Sequence, residues 1–197
     1  MAKNKIPAAI EIRSIPGEIQ TRAEESGDLI IEGYFAVFNS IYDMWPDVSE
    51  EIVYGAFTDT IIQDDIRALI NHDSTLVVGR NTIRTLELRE DERGLWGRIV
   101  INPKDGDAVN VYARVQRGDV SQCSIGFDII NEESEVRADG GVHYKVRKVK
   151  LWEVSICTFP AYEETGVKAR SKEHAELAER RNQAWKEKML KKLKGEI

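Results

Sequence analysis

Cysteine is scarce in this chain: Cys123 and Cys157 are the only two in 197 residues. Two thiols frame no disulfide scaffold, and no apolar leader follows the basic start Met1-Ala2-Lys3-Asn4-Lys5. The expectation is therefore a cytosolic, reducing setting. No stretch approaches the roughly 18 uninterrupted apolar residues of a membrane span, so no membrane partner is expected. Histidine is nearly as rare, with His72, His143 and His174 the only three. No His or Cys spacing resembles a zinc site, and no glycine-rich phosphate loop follows a strand, so neither a metal nor a cofactor is expected. Positive charge is also short. A net charge of -6 argues against nucleic acid, which a protein usually grips through a basic face.

What the chain does have is core material. Hydrophobic residues make up 42% and charged residues 31%, the balance of a folded domain that buries a core. The length fits one sizeable domain with or without an appendage, and the expected division is 1–168 for the domain and 169–197 for a charged helical tail. From Arg180 onward seven Lys and Arg stand against two acids, a local +5 that leaves -11 for everything before it. Ser171 is placed to cap that last helix, whose apolar positions Ala178, Trp185, Met189 and Leu193 are thin.

Strand signals dominate the body. Ala9–Arg13, Leu29–Phe38, Ile66–His72, Arg84–Glu90 and Leu95–Asn102 are rich in β-branched and aromatic residues, and Gly33 marks a bulge or a close approach. Ser40–Glu51, with its acids and Pro46, reads as a loop, and a polar turn follows His72. A short helix is expected over Ala56–Ile62. Ala108, Val111, Tyr112 and Val115 recur at helical spacing, behind an acidic start and ahead of Gly118 as a stop. Many strands and few helices predict an α+β domain with a β-barrel-like core.

Three stretches carry chemistry: Asn71-His72-Asp73, Ser121-Gln122-Cys123-Ser124-Ile125-Gly126-Phe127, and Trp152-Glu153-Val154-Ser155. Together they offer a nucleophile, a base and an orienting carboxylate. If Asp139-Gly140 is a two-residue turn, Ala138 pairs with Gly141, and counting back along the hairpin sets Ser124 opposite Ser155. Glu153 then lies two residues along on the same side, with diagonal neighbours roughly 7–8 Å apart, a gap an imidazole can bridge. A bulge in so long a hairpin would break the count. The alternation also puts Cys123, Ile125, Phe127 and Ile129 on one apolar face and Ser124 with Gly126 on the other. Cys123 therefore reads as a small buried hydrophobe rather than a thiolate, and so does Cys157. Ordinary readings stand beside the catalytic one: His72 bonded to Asp73 at a strand end, and Glu153 as a surface carboxylate paired with Lys150.

A family resemblance runs through the same residues. Gly33-Tyr34 with Phe38-Asn39, Gly55-Ala56-Phe57, Asn71-His72-Asp73 with Gly79-Arg80, Gly94-Leu95, Ser124-Ile125-Gly126-Phe127, and Glu153-Val154-Ser155 with Phe159-Pro160-Ala161 occur in this order. Over roughly Glu11 to Ala169 the chain resembles the tailed-phage prohead (capsid maturation) proteases, which are related in fold to the herpesvirus assemblins. The resemblance implies a serine endopeptidase with a β-barrel core, enclosed in the immature capsid within the host cytoplasm. It would cut scaffold, or the scaffold-like segment of the major capsid protein, and often itself. It assigns Ser124 as nucleophile, His72 as general base and Glu153 as the third member. The herpesvirus relatives carry a second histidine in the third place, and His143 is the body position that would imitate it, ranked below Glu153. Tyr162, where the pattern leads one to expect asparagine, and the following Thr165-Gly166 depart from the family. Assemblin relatives act as dimers, which makes a homo-oligomer an expectation. Two other classes remain in view: a catalytically silent capsid-assembly protein that keeps the domain for binding, and a cysteine hydrolase using Cys123.

Overall fold

The computed structural model describes residues 11–15, 19–24, 27–45, 47–138 and 140–159. The chain divides into two units, Met1–Glu163 and Glu164–Ile197, and everything described lies in the first. The expected tail helix, the departures at Tyr162 and Thr165-Gly166, and His174 lie outside the described residues.

The described chain is mostly β-sheet with two α-helices, an arrangement of the α+β class. Its strands are β1 (Glu11–Ile15), β2 (Ile19–Ala23), β3 (Leu29–Val37), β4 (Tyr42–Trp45), β5 (Val48–Ile52), β6 (Arg67–Ile70), β7 (Asp73–Arg80), β8 (Leu86–Glu90), β9 (Gly94–Ile101), β10 (Gln122–Val136) and β11 (Val142–Cys157). The helices are α1 (Thr58–Gln63) and α2 (Gly106–Arg117). β2, β3, β9 and β8 form a four-stranded antiparallel sheet, and the other seven strands form a second sheet.

That second sheet corrects the expected barrel. β11 is its spine: β10 runs antiparallel along one edge, while the other edge is shared. β5 takes the stretch Val142–Val146 and β6 takes Glu153–Ile156, both parallel to β11. Because one long edge serves two strands, the sheet branches instead of curling shut, and the pairings among the described residues close no barrel.

The core fills the space between the sheets. Ile31 and Phe35 of β3 and Leu95 and Ile99 of β9 join Cys123, Ile125 and Phe127 of β10 and Val154 and Ile156 of β11. α2 adds Ala108, Val111, Tyr112 and Val115, the positions its spacing marks, and starts on Asp105, whose side chain accepts from Asp107 N and Ala108 N. It stops at Gly118, where φ is +86°. The irregularity expected near Gly33 lies one residue on, between Tyr34 and Ala36. The close approach belongs to the glycine paired with Gly33, because a Cβ on Gly97 would meet the Phe35 ring at 2.7 Å.

Two segments differ from their expected form. Ser40–Glu51 is not a loop but contains β4 and most of β5. Its apolar signal is diluted by Ser49, Glu50 and Glu51, which are polar yet buried or half-buried. The partners that make this tolerable come from β11, ninety residues away in His143 and Lys145. The stretch expected as a polar turn after His72 is instead strand β7, and the turn is Asn71-His72 itself, because Asp73 pairs directly with Ile70.

The β10–β11 register holds a compensation. Arg137 N donates to Gly141 O at 2.8 Å, and Gly140 has φ +89°, so the connection is longer than a two-residue turn; Asp139 itself lies outside the described residues. Val136 therefore sits opposite Val142, where the two-residue count requires His143. Carried straight down, this register would set Ser124 opposite Val154. The irregularity between Gly126 and Phe127 leaves Trp152 as an extra residue and restores the expected pairing of Ser124 with Ser155. The same bulge lets Val149 and Leu151 face the core while Glu153 faces the other way.

Candidate active site

The site is assembled on the sheet face opposite the core. Ser124 and Gly126 of β10 pair with Ser155 and Glu153 of β11, and directly opposed residues project to the same side. Across the other edge of β11, Glu153 pairs with Arg67, Ser155 with Leu69 and Ile156 with Ile70, so the end of β6 delivers the next residues onto this face. Those residues are Asn71 and His72, the two central positions of the β6–β7 hairpin.

Both take positive φ, 49° for Asn71 and 60° for His72, the signature of a type I′ turn. Such turns favour Asn followed by Gly, and a histidine in the glycine place is conformationally costly, by about 1–2 kcal/mol. The surrounding bonds hold it there. Asn71 N donates to Ile156 O at 3.0 Å, Asn71 Oδ1 accepts from Thr158 N at 2.9 Å, and His72 N donates to Ser155 Oγ at 3.2 Å. Arg80 and Arg67 anchor the far end of the hairpin. The Arg80 fork donates to both Asp65 oxygens at 2.7 and 2.6 Å, and Arg67 Nη2 adds a bond of 3.0 Å. These cations, Arg80 first, hold the Asp65 carboxyl below the usual carboxylate range against a partial desolvation.

His72 Nδ1 lies 2.7 Å from Glu153 Oε1. A carboxylate can only accept, so Nδ1 carries the proton, and in the neutral ring Nε2 is then the acceptor nitrogen. Ser155 Oγ donates to the second oxygen, Oε2, at 2.5 Å. One serine thus receives the His72 backbone N–H and orients the Glu153 carboxylate. Gly126, opposite Glu153, has no side chain for a reason: a Cβ there would collide with Oε1. Glu153 is 3% exposed and Ser124 0%.

The ordinary readings of these residues do not match the geometry. Asp73 bonds Thr75 through its backbone N–H and hydroxyl rather than His72. Lys150 stacks its ammonium over the Trp152 ring at 4.2 Å, and Glu153 is buried on His72 and Ser155. His143 is remote: it pairs with Ser49 near the opposite end of β11, ten residues or roughly 30 Å of strand from Glu153. The thiols are held neutral. Cys123 lies in the core with Sγ donating to Tyr34 O at 3.0 Å, and burial pushes it up to about 12. Cys157, 3.7 Å from His72 Nε2, is likewise pushed up to about 12 by burial and then by the Glu153 charge. Among the described residues no group of three or more His, Cys, Asp or Glu is arranged to hold a metal ion.

Sequence reasoning passes over Asn71 as turn-former, Ser155 as the bridge and Gly126 as the clearance for Glu153. The first had a local signal, since Asn before a residue of forced positive φ marks a tight hairpin. Ser155 and Gly126 acquire their roles only through the strand pairing.

Residues 17–180 match a family model described as Caudovirus prohead serine protease. The chain is also 32% identical over 143 residues to a protein of Enterobacteria phage HK97 called "Prohead protease", a match covering 71% of this chain and 59% of that protein. No solved structure matches.

Proposed function

We propose a function for this chain, which belongs to the family of caudovirus prohead serine proteases: it is a serine endopeptidase in which Ser124 is nucleophile, His72 general base and Glu153 the orienting carboxylate. The observation that carries the reading is the 2.7 Å bond between His72 Nδ1 and Glu153 Oε1, made on the face that Ser124 shares. In this reading Nε2 takes the Ser124 proton as the hydroxyl attacks a peptide carbonyl, and returns it to the leaving amine. Glu153, fixed by Ser155, keeps the proton on Nδ1 and stabilises the imidazolium as it forms. Backbone N–H groups are the proposed oxyanion donors. The thiols, raised to about 12, disfavour the cysteine-hydrolase alternative.

Membership of the family supports the proposed substrate class. The protease cuts scaffold or scaffold-like segments of the major capsid protein inside the prohead, within the infected cell, and cuts itself. Matching 59% of its HK97 relative's length, the chain is proposed to act there through its domain, with the +5 tail from Arg180 onward as the contact that brings it into the assembling shell. Co-expression with the capsid protein tests the core of this. Ser124→Ala should stop processing while Cys123→Ala leaves it intact. Equal processing by the native chain and Ser124→Ala would remove the serine from the mechanism. No processing by any of the chains would favour a silent assembly protein. Deleting residues 171–197 should abolish packaging yet spare cleavage of a peptide, and loss of both would overturn the role given to the tail.

A further inference from the structure

His72 Nε2, the nitrogen on which the proposed triad relies, meets no oxygen among the described residues; its polar neighbour is Cys157 Sγ at 3.7 Å. Nδ1 carries the proton that goes to Glu153, so Nε2 accepts, and between a thiol and this nitrogen the thiol donates. Cys157 has that proton to give. It is 1% exposed, and burial followed by the Glu153 charge pushes it up to about 12, which keeps the sulfur protonated at neutral pH. A second acceptor lies within reach of the same S–H: the Ser155 carbonyl oxygen, 3.8 Å from Sγ. Rotation about the Cβ–Sγ bond therefore takes the proton off the ring without leaving it unpartnered. Both contacts are long and a thiol is a weak donor, so neither bond is strong.

We infer that Cys157 holds the base in a resting state: its S–H sits on His72 Nε2 and turns to the Ser155 carbonyl when the Ser124 hydroxyl takes its place. The inference rests on His72 being the general base for Ser124. No bond of Cys157 is made or broken in the chemistry; its proton stays on sulfur, and the proton that moves is the serine's. One lone pair serves two donors, so while the thiol occupies Nε2 the nitrogen cannot accept from Ser124. Bonds between a nucleophile and its base are often long before substrate arrives and tighten in the complex, and here the thiol occupies the nitrogen meanwhile.

The test is the single-turnover rate on a saturating capsid-derived peptide, in the full chain, for the native protein, Cys157→Ala, Cys157→Ser and Ser124→Ala. Cys157→Ala removes the competing donor and should be about three- to tenfold faster, the worth of a neutral hydrogen bond. Its melting temperature should fall, because a buried side chain is trimmed. Faster cleavage by a less stable protein is a combination that lost packing alone does not produce. Cys157→Ser supplies a stronger donor and should be slower than the native chain. A rate in Cys157→Ala equal to or below the native one, with Ser124→Ala inactive, would overturn the inference and leave the nucleophile standing. So would Cys157→Ser cleaving as fast as Cys157→Ala. The ring resonances of nitrogen-labelled His72 read the contact without turnover: Nε2 should shift between the native chain and Cys157→Ala, and an unmoved Nε2 would overturn the contact itself. If Ser124→Ala cleaves as well as the native chain, the triad reading fails and the resting state of its base fails with it.

Discussion

β11 carries a Ser–His–Glu network at each end, and the two are wired differently. At one end His72 gives Nδ1 to Glu153, and its Nε2 meets no oxygen among the described residues but lies 3.7 Å from the Cys157 thiol. At the other, His143 spends both nitrogens: Ser49 Oγ lies 2.9 Å from Nδ1 and Glu51 Oε1 3.2 Å from Nε2. Arg137 Nη1 also donates to Ser49 at 3.2 Å, and Lys145 stands 3.9 Å from Glu51. The backbone differs as well. His143 sits in regular strand between paired neighbours, whereas His72 occupies a left-handed turn position that its bonds must enforce. Identical residue types thus make a saturated brace in one place and, in the proposed triad, a base in the other. The teaching is that a triad is recognised by which nitrogen is left for chemistry.

The sharpest way to break this contrast is to remove each histidine. His72→Ala should lower kcat on a capsid-derived peptide by about four to six orders of magnitude, as loss of a triad member does, while His143→Ala leaves it unchanged. Comparable losses from both would erase the distinction. Ser155→Ala should come next, lowering kcat about 10- to 100-fold, because Glu153 Oε2 and the His72 N–H lose their common partner, worth about 1–3 kcal/mol when buried groups are stranded. An unaltered kcat would mean that Ser155 supports only the fold. Ser49→Ala belongs to the other network and should cost about 1–3 kcal/mol in urea unfolding with full activity retained.

A smaller effect probes the hairpin that presents His72. Asp65 is held low by Arg80, so its stabilisation is present above the ordinary carboxylate range and is lost as pH falls through the lowered folded value. Arg80→Met should thus be less stable at neutral pH and lose less on acidification. A parallel displacement of the two stability curves at every pH would refute the linkage. Smallest of all, both thiols should resist iodoacetamide at pH 8 in the native protein and react once it is unfolded, since burial pushes each up to about 12. Native labelling of either would reopen a thiol chemistry.

How far the sequence was legible follows the range of the interaction. α2 reads clearly because its cap, stripe and glycine stop are local. The Ser124–Ser155 pairing was expected, yet through a turn count that fails at Val136 and is repaired by the bulge at Trp152. The face alternation that separates Ser124 from Cys123 was robust, since it needs only the strand. β5 was hidden because the partners of Ser49 and Glu51 lie on β11, and β7 because its first residues, Asp73-Ser74-Thr75, have the composition of a turn. The expected barrel does not form, and the branching that replaces it was missed because nothing local in β11 announces that one edge will be divided between two strands.

That divided edge sets a schedule. His72 and Glu153 are 81 positions apart, and the strand that brings Glu153 and Ser155 to the others is the last one described. During synthesis, Ser124 and His72 emerge well before the residues that orient the imidazole. On the proposed triad, the arrangement is complete only once Cys157 has cleared the ribosome and β11 has slotted between β10 and β6. If that triad does the cutting, late arrival of the final strand is a built-in delay.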